Sequence, residues 1–236
     1  MKFKSVFLLS GILISSAASA EMQWSDVSLT YLKGSNHELG DPDRQTLTLE
    51  HVSDHDWGDN FFFLDREKSD DGALNNYFEF KPNISLSYLT GAELSYGLVA
   101  DTYIATTWES GNNFDNYLLG LGADFEVPGF QYFKANVYNR NNELKEDDTM
   151  LTVVWGLPFN IGNAEFLYDG FVDWSSAESD HASETLYMAQ LKWNVGKVIG
   201  TKAPVYLGVE HVYWNNKFGV QGIVERNVSF LAKVHF

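Results

Sequence analysis

The stretch ERNVSFLAKVHF (225–236) places Val228, Phe230, Ala232, Val234 and Phe236 at strict alternate positions. Asn227, Ser229, Lys233 and His235 occupy intervening ones. Successive side chains of a strand point to opposite faces, so this segment has one wholly apolar face, one wet face and an aromatic last residue. Together these features read as the closing strand of a bacterial outer-membrane barrel. The medium around such a protein is lipid, and its functional surface is a lumen.

The amino-terminal residues fit that reading. Lys2 and Lys4 precede an apolar run from Val6 to Ile14, and Ala18-Ser19-Ala20 forms a small-residue site, so residues 1–20 read as an export signal cleaved before Glu21. No later stretch approaches the roughly 20 consecutive apolar residues of a spanning helix. Without cysteine, neither a disulfide framework nor a thiolate metal site can be built, and no cofactor or metal is expected. Residues 21–236 contain no Pro/Ser/Gly linker and read as a single barrel domain.

The formal charge is -16, or -18 once the two signal lysines are removed. A surface for nucleic acid needs clustered Lys and Arg, so that partner is excluded. The acids collect in HELGDPDR (37–44), REKSDD (66–71), ELKEDD (143–148) and AESDHASE (177–184), which read as solvated loops. None has the spaced-oxygen pattern of a calcium loop.

Period-two patterning bounded by turn residues predicts twelve strands: 24–33, 44–53, 57–66, 75–89, 96–109, 114–127, 130–139, 149–159, 164–175, 185–195, 205–215 and 225–236. Long polar connections are expected after odd-numbered strands. Tight turns such as Pro128-Gly129 and 160–163 are expected after even-numbered ones. Bacterial barrels have even strand numbers, short periplasmic turns and longer outer loops. The expected fold is therefore all-β, a 12-stranded antiparallel transmembrane β-barrel with both termini on the periplasmic side.

Alternation is clear in NYFEFKPNISLSY, where Phe78, Phe80, Pro82, Ile84, Leu86 and Tyr88 oppose Tyr77, Glu79, Lys81, Asn83, Ser85 and Ser87. A soluble sandwich also alternates, but it would leave the closing-strand pattern without a cause. In a membrane barrel the polar set faces inward and closure removes every open edge. Trp108, Trp155, Trp174 and Trp193 fall near strand ends on the apolar parity, as interfacial girdles require, whereas Trp24, Trp57 and Trp214 fall on the other parity.

A hydrolytic barrel would need Ser and His in reach of each other. His51 with Ser53 and His181 with Ser183 are the available neighbours; the second pair lies in an acidic loop, and no enzyme is expected. His51, His211 and His235 read as rim or lumen hydrogen-bonders. The wet faces are more informative, because aromatic rings stand among single acids, amides and lysines. Tyr132, Lys134, Asn136 and Tyr138 form one such stripe; Tyr77, Glu79 and Lys81 form another; Asp101 with Tyr103 and Asp169 with Asp173 add to them. Rings to stack on and polar groups to bond a sugar suit a channel for flat, uncharged, polar solutes. Three other readings stand beside it: a general small-solute porin, side chains that merely plug a narrow lumen, and a closed barrel serving as a surface receptor or structural protein.

HDWGDNFFFLDR (55–66), NYFEFKPNISLSYLTG (76–91), LSYGLVADTYIA (94–105), NYLLGLGADFEVPG (116–129) with KANVYNRNN (134–142), EFLYDGFVDWSS (165–176) and the closing strand resemble, in order, the Tsx-type nucleoside-specific channel family, which includes OmpK-like proteins. The resemblance implies a monomeric twelve-stranded barrel in the outer membrane that passes nucleosides and deoxynucleosides by passive diffusion. Lipid and lipopolysaccharide would surround it, and its outer loops would be open to phages or colicins. It also implies that Phe61, Phe63 and Asp65 face the lumen, which parity leaves open because Phe62 and Leu64 compete for that role. The chain departs from longer members in its shortened loops at 178–184 and 215–226.

Overall fold

The computed structural model describes residues 21–236; the export signal lies outside the described residues. The elements are β1 (Met22–Ser35), β2 (Arg44–His55), β3 (Gly58–Ser69), β4 (Leu74–Ser85), α1 (Leu86–Thr90), β5 (Val99–Gly111), β6 (Phe114–Phe125), β7 (Tyr132–Asn141), β8 (Asp148–Ile161), β9 (Ala164–Ser175), β10 (Glu184–Asn194), α2 (Gly196–Ile199), β11 (Val205–Asn215) and β12 (Val224–His235). Each strand pairs antiparallel with its sequence neighbours. β12 returns to β1, from Ser28 opposite His235 to Ser35 opposite Val228, and closes the barrel.

Closure inverts the usual distribution of side chains. Leu119 and Leu121 are each 62% exposed and Val228 is 55% exposed, whereas Lys192 is 1% and Asp148 2% exposed. A soluble fold would leave neither set in place, since apolar area favours removal from water and buried charge requires a partner. The outward face is an apolar belt; the inward face holds the charges in pairs.

Aromatic residues edge the belt at both ends. Trp108 packs edge-on against Phe78 at 4.7 Å and stacks with Tyr117 at 6.4 Å. At the end that carries both described termini, Phe159 stacks on Phe166 at 5.3 Å. Trp155 departs from the expected strand-end position. It stands mid-strand opposite Gly170, with the Tyr168 and Tyr187 rings at 6.2 and 5.8 Å. Trp24 and Trp214 take the inward parity, Trp24 in register with Asp54 and the Trp214 indole N–H donating to Glu184, whereas Trp57 lies in the β2–β3 turn and stacks on His55 at 4.9 Å.

Two expectations are corrected. The fourth strand ends at Ser85 rather than continuing to Leu89, because the Ser85 hydroxyl accepts from the Tyr88 amide at 3.2 Å and Gly91, at φ 69°, closes a short helix. Ser is a favoured N-cap and Gly a favoured C-cap, so Leu86 and Tyr88 leave the sheet. The alternation of loop lengths is also incomplete. β5 and β6 are joined by Asn112 and Asn113 alone, while the β4–β5 and β10–β11 connections each contain a helix.

Candidate functional site

All fourteen side chains singled out for the lumen lie on the inward parity. Phe61, Phe63 and Asp65 pair across β3–β4 with Lys81, Glu79 and Tyr77, and the competing Phe62 and Leu64 pair with outward Phe80 and Phe78. Inwardness is fixed by contacts that only the interior permits. The Lys134 ammonium on β7 meets Asp59 on β3 at 2.5 Å, and Lys233 on β12 reaches over β1 to Glu50 on β2 at 2.5 Å.

A strip of rings runs up one wall. Phe61 lies 5.9 Å from Phe63, Phe63 lies 5.7 Å from Tyr77, and Tyr77 lies 6.3 Å from Phe114, all tilted and in the range of favourable aromatic pairs. Phe114 was not among the expected residues. Its signal was legible as inward parity opposite Gly111, where the missing side chain makes room for the ring.

Polar groups stand beside this strip. The Tyr77 hydroxyl donates to Glu79 at 2.6 Å, and the other Glu79 oxygen takes the Lys81 ammonium at 2.5 Å. Thr48 donates to Asp65 at 2.5 Å and Thr152 to Asp173 at 2.6 Å. On the far wall, Lys192 donates to Asp169 at 2.6 Å, and the Tyr132 hydroxyl approaches the same oxygen at 3.4 Å. Glu50 on β2 and Lys192, Glu210 and Lys233 on β10 to β12 add to the ladder: Lys192 meets Asp169 on β9, Glu210 accepts from Gln190 on β10, and only the Lys233–Glu50 pair joins strands distant in sequence.

The tyrosines divide into two groups. Tyr77 is partly exposed on the strip, whereas Tyr103 and Tyr138 are 2% and 3% exposed, packed with Ala105, Leu118 and Met150. Tyr103 lies flat over Gly122 and donates to the Asn136 side-chain oxygen at 2.7 Å; Tyr132 lies flat over Gly156. A Cβ at either glycine would strike the ring, so these glycines let two large side chains line the wall instead of projecting into the bore. Asp101 lies toward the termini end, with its carboxylate bonded by Ser87 at 3.0 Å.

At the opposite end the loops are tied to the rim by a second cluster. Asp148 accepts from Arg140 at 2.9 and 2.6 Å and stands 3.2 Å from His181 Nε2 and 3.6 Å from the Lys145 ammonium. Glu225 meets Lys217 and, at 3.5 Å, His37. Paired charge-assisted bonds of this kind are the strong ones, and three of the partners, His37, Lys145 and His181, come from acidic runs expected to be solvated loops.

The histidines only partly match expectation. His235 faces inward and bonds Asp26 at 2.7 Å, but His51 and His211 lie on the lipid parity, opposite Phe62 and Val228. Their parity follows from their neighbours, Leu49 and Val209 two residues earlier. Neither Ser–His pair forms: Ser53 bonds His55 at 3.0 Å, and Ser183 donates to the Ser175 carbonyl at 2.8 Å.

The barrel architecture is shared with solved porins. A NanC porin superposes with a TM-score of 0.55 at 10% identity and a KdgM porin with 0.52 at 12%, each covering 89% of this chain and 98% of the other. By sequence, the chain is 30% identical over 122 residues to the outer membrane protein OmpK of Vibrio parahaemolyticus, covering 49% of this chain and 46% of that protein. It is 26% identical over 167 residues to the nucleoside-specific channel-forming protein Tsx of Salmonella typhimurium, covering 59% and 58%. The chain thus spans about half the length of the curated relatives it matches. An apolar belt around a polar bore makes this an outer-membrane barrel. Residues 19–224 match the family described as nucleoside-specific channel-forming protein, Tsx, and with this inward-facing array on the same strands the chain belongs to that channel family.

Proposed function

We propose that this barrel passes nucleosides and deoxynucleosides across the outer membrane by passive diffusion. The observation that carries this reading is the continuous strip Phe61–Phe63–Tyr77–Phe114, set beside Asp65, Glu79 and Lys81. Stacking of a base on an aromatic contributes about 1–3 kcal/mol, and carboxylates and ammonium groups bond ribose hydroxyls and base edges. Conduction needs several weak sites rather than one tight one, which a strip of rings supplies. Asp59, Asp65, Asp173 and Glu210 make the bore acid-rich, so phosphorylated solutes are repelled. In this reading the termini end faces the periplasm. Lys33, Arg66, Lys68 and Arg226, which point outward at the other rim, then meet lipopolysaccharide phosphates.

Single-channel current in planar bilayers tests it. Adenosine and thymidine reduce the current, a sugar of similar size does not, and a Phe61→Ala/Phe63→Ala variant weakens the nucleoside block by about tenfold or more, at 1–3 kcal/mol per ring. Equal effects of all three solutes would remove the selectivity.

A general small-solute porin is the second reading, favoured by the covered rings of Tyr103 and Tyr138, which fill the wall. Replacing Phe63 and Tyr77 of the strip by Ala separates the two. Changed conductance with unchanged nucleoside block supports the general porin.

A further inference from the structure

Two connections at the termini end are built alike. In α1 the Ser87 hydroxyl donates to Asp101 on the inner wall at 3.0 Å. In α2 the Lys197 ammonium pairs with Glu165, which also accepts from inward Asn194 at 3.3 Å. Each contact fixes one side of a helix against the inner wall. A helix turns by roughly 100° per residue, so the residue two places on points the opposite way. That residue is Leu89 in α1 and Ile199 in α2, 53% and 61% exposed. Both helices therefore turn an apolar side away from the bore.

These sides run on from the lipid belt. β4 ends at Ser85 opposite Tyr103, and β5 continues past it to Val99 with α1 packed alongside. The chain after α1 returns to the barrel edge at Leu98, whose carbonyl accepts from the Glu126 amide at 2.8 Å, one residue beyond Phe125. Phe125 belongs to the aromatic rim: it packs edge-on against Phe133 at 6.1 Å, and Phe130 does the same at 5.5 Å. Along this return Tyr88, Leu94, Tyr96 and Leu98 are exposed, Tyr96 at 88%. At α2, Val198 is exposed beside Ile199, and the Glu165 that holds the helix adjoins Phe166 of the same rim. Apolar groups gathered in this way mark an interaction surface.

We propose that α1 with its return to Leu98, and α2, lie in the phospholipid surface at the termini end and anchor the barrel there, their apolar sides in the boundary between headgroups and acyl chains. Segments of this kind bury an apolar face about 5–10 Å into that layer. Tyr88 and Tyr96 suit the position, because a tyrosine ring is apolar while its hydroxyl stays wet. Lys202, exposed just after α2, supplies a charge for lipid phosphate. A protein partner is the poorer match. The β4–β5 and β10–β11 connections are six strands apart in a ring of twelve, so the two apolar sides face away from each other across the barrel. A lipid surface encircles the barrel and reaches both.

Because the chain has no cysteine, single-cysteine variants carrying an environment-sensitive fluorophore test this on the folded barrel. Leu89→Cys, Tyr96→Cys and Ile199→Cys are labelled and placed in vesicles of phosphatidylcholine and phosphatidylglycerol. Leu121→Cys in the belt and Leu144→Cys in the β7–β8 loop are the lipid and water references, and heat-dependent gel mobility confirms folding. At all three test positions, iodide in the water quenches several-fold less than at Leu144. A lipid doxyl group near the headgroup quenches them more than one near the chain end, the reverse of Leu121. If Leu89→Cys does not fold, Tyr96→Cys reports on the same segment. Water-like quenching of either segment, equal to that at Leu144, would overturn the proposal and leave its apolar side for a protein to cover.

Discussion

Replacing Lys192 by Met removes one member of a covered ion pair and leaves the other behind. The Lys192 side chain is 2% exposed and its ammonium meets Asp169 at 2.6 Å, while Asp169 is 16% exposed. After the substitution, Asp169 keeps only the long Tyr132 bond at 3.4 Å, and its second oxygen already lacks a partner. Breaking a buried pair from one side costs about 3–5 kcal/mol. Because Asp169 retains some contact with the bore, the lower end applies, and Lys192→Met is expected to destabilise by about 3 kcal/mol, roughly 150-fold in the unfolding equilibrium. Adding Asp169→Asn removes the stranded charge and keeps an acceptor for Tyr132, so the double variant recovers about 2 kcal/mol relative to the sum of the single changes. Urea titration of the barrel refolded in lipid vesicles, followed by tryptophan fluorescence, measures all three. A Lys192→Met variant within about 0.5 kcal/mol of the parent, or a double variant equal to the sum of its parts, would refute the pairing as a source of stability.

Gly156→Ala should drive the Tyr132 ring off the wall and into the bore, lowering single-channel conductance and destabilising by about 1–3 kcal/mol through overpacking; adding Tyr132→Ala should restore conductance, and unchanged conductance in Gly156→Ala would contradict the geometry. In the β9–β10 loop, the His181 side chain and then the Glu146 backbone N–H hold the Asp180 carboxyl below its ordinary 3.8. A lowered folded value means that this contact stabilises the loop fully above the ordinary value and is lost as pH falls through the lowered one, so the Glu146 amide resonance should shift with a midpoint below 3.8. A midpoint at or above that value would show that the bond does not form.

The fold was legible because lipid imposes a simple rule on each strand taken alone. Every backbone polar group must pair within the sheet and one parity must be apolar, so β12 and β4 announce their faces without reference to any other segment. The strand count followed from the same rule. What strand-by-strand patterning missed was local capping chemistry: Leu86 and Tyr88 keep the period of β4, yet Ser85 and Gly91 turn them into a helix. His51 and His211 were misplaced because a polar residue type was weighed above the parity of its neighbours.

The candidate site was legible in one dimension only. Parity says that a side chain faces inward, but not which side chains meet across the bore, and meeting decides what each can do. Tyr77 and Tyr103 both stand on wet faces of neighbouring strands. Tyr77 continues a strip of rings from Phe63 to Phe114, while Tyr103 lies down over Gly122 and gives its hydroxyl to Asn136, so the first keeps a ring partly exposed to the bore and the second builds the wall. Both tyrosines stand in register with a glycine one strand away, but the space at Gly111 opposite Tyr77 is filled by Phe114, whereas the space over Gly122 is left to Tyr103. Lys134 repeats the lesson with charge. Its nearest partner in sequence, Asp124, sits across the β6–β7 pair, but its shorter contact is to Asp59, four strands distant and reached only through the interior. Contacts such as Lys134–Asp59 join strands that never pair, and they exist only once the barrel has closed.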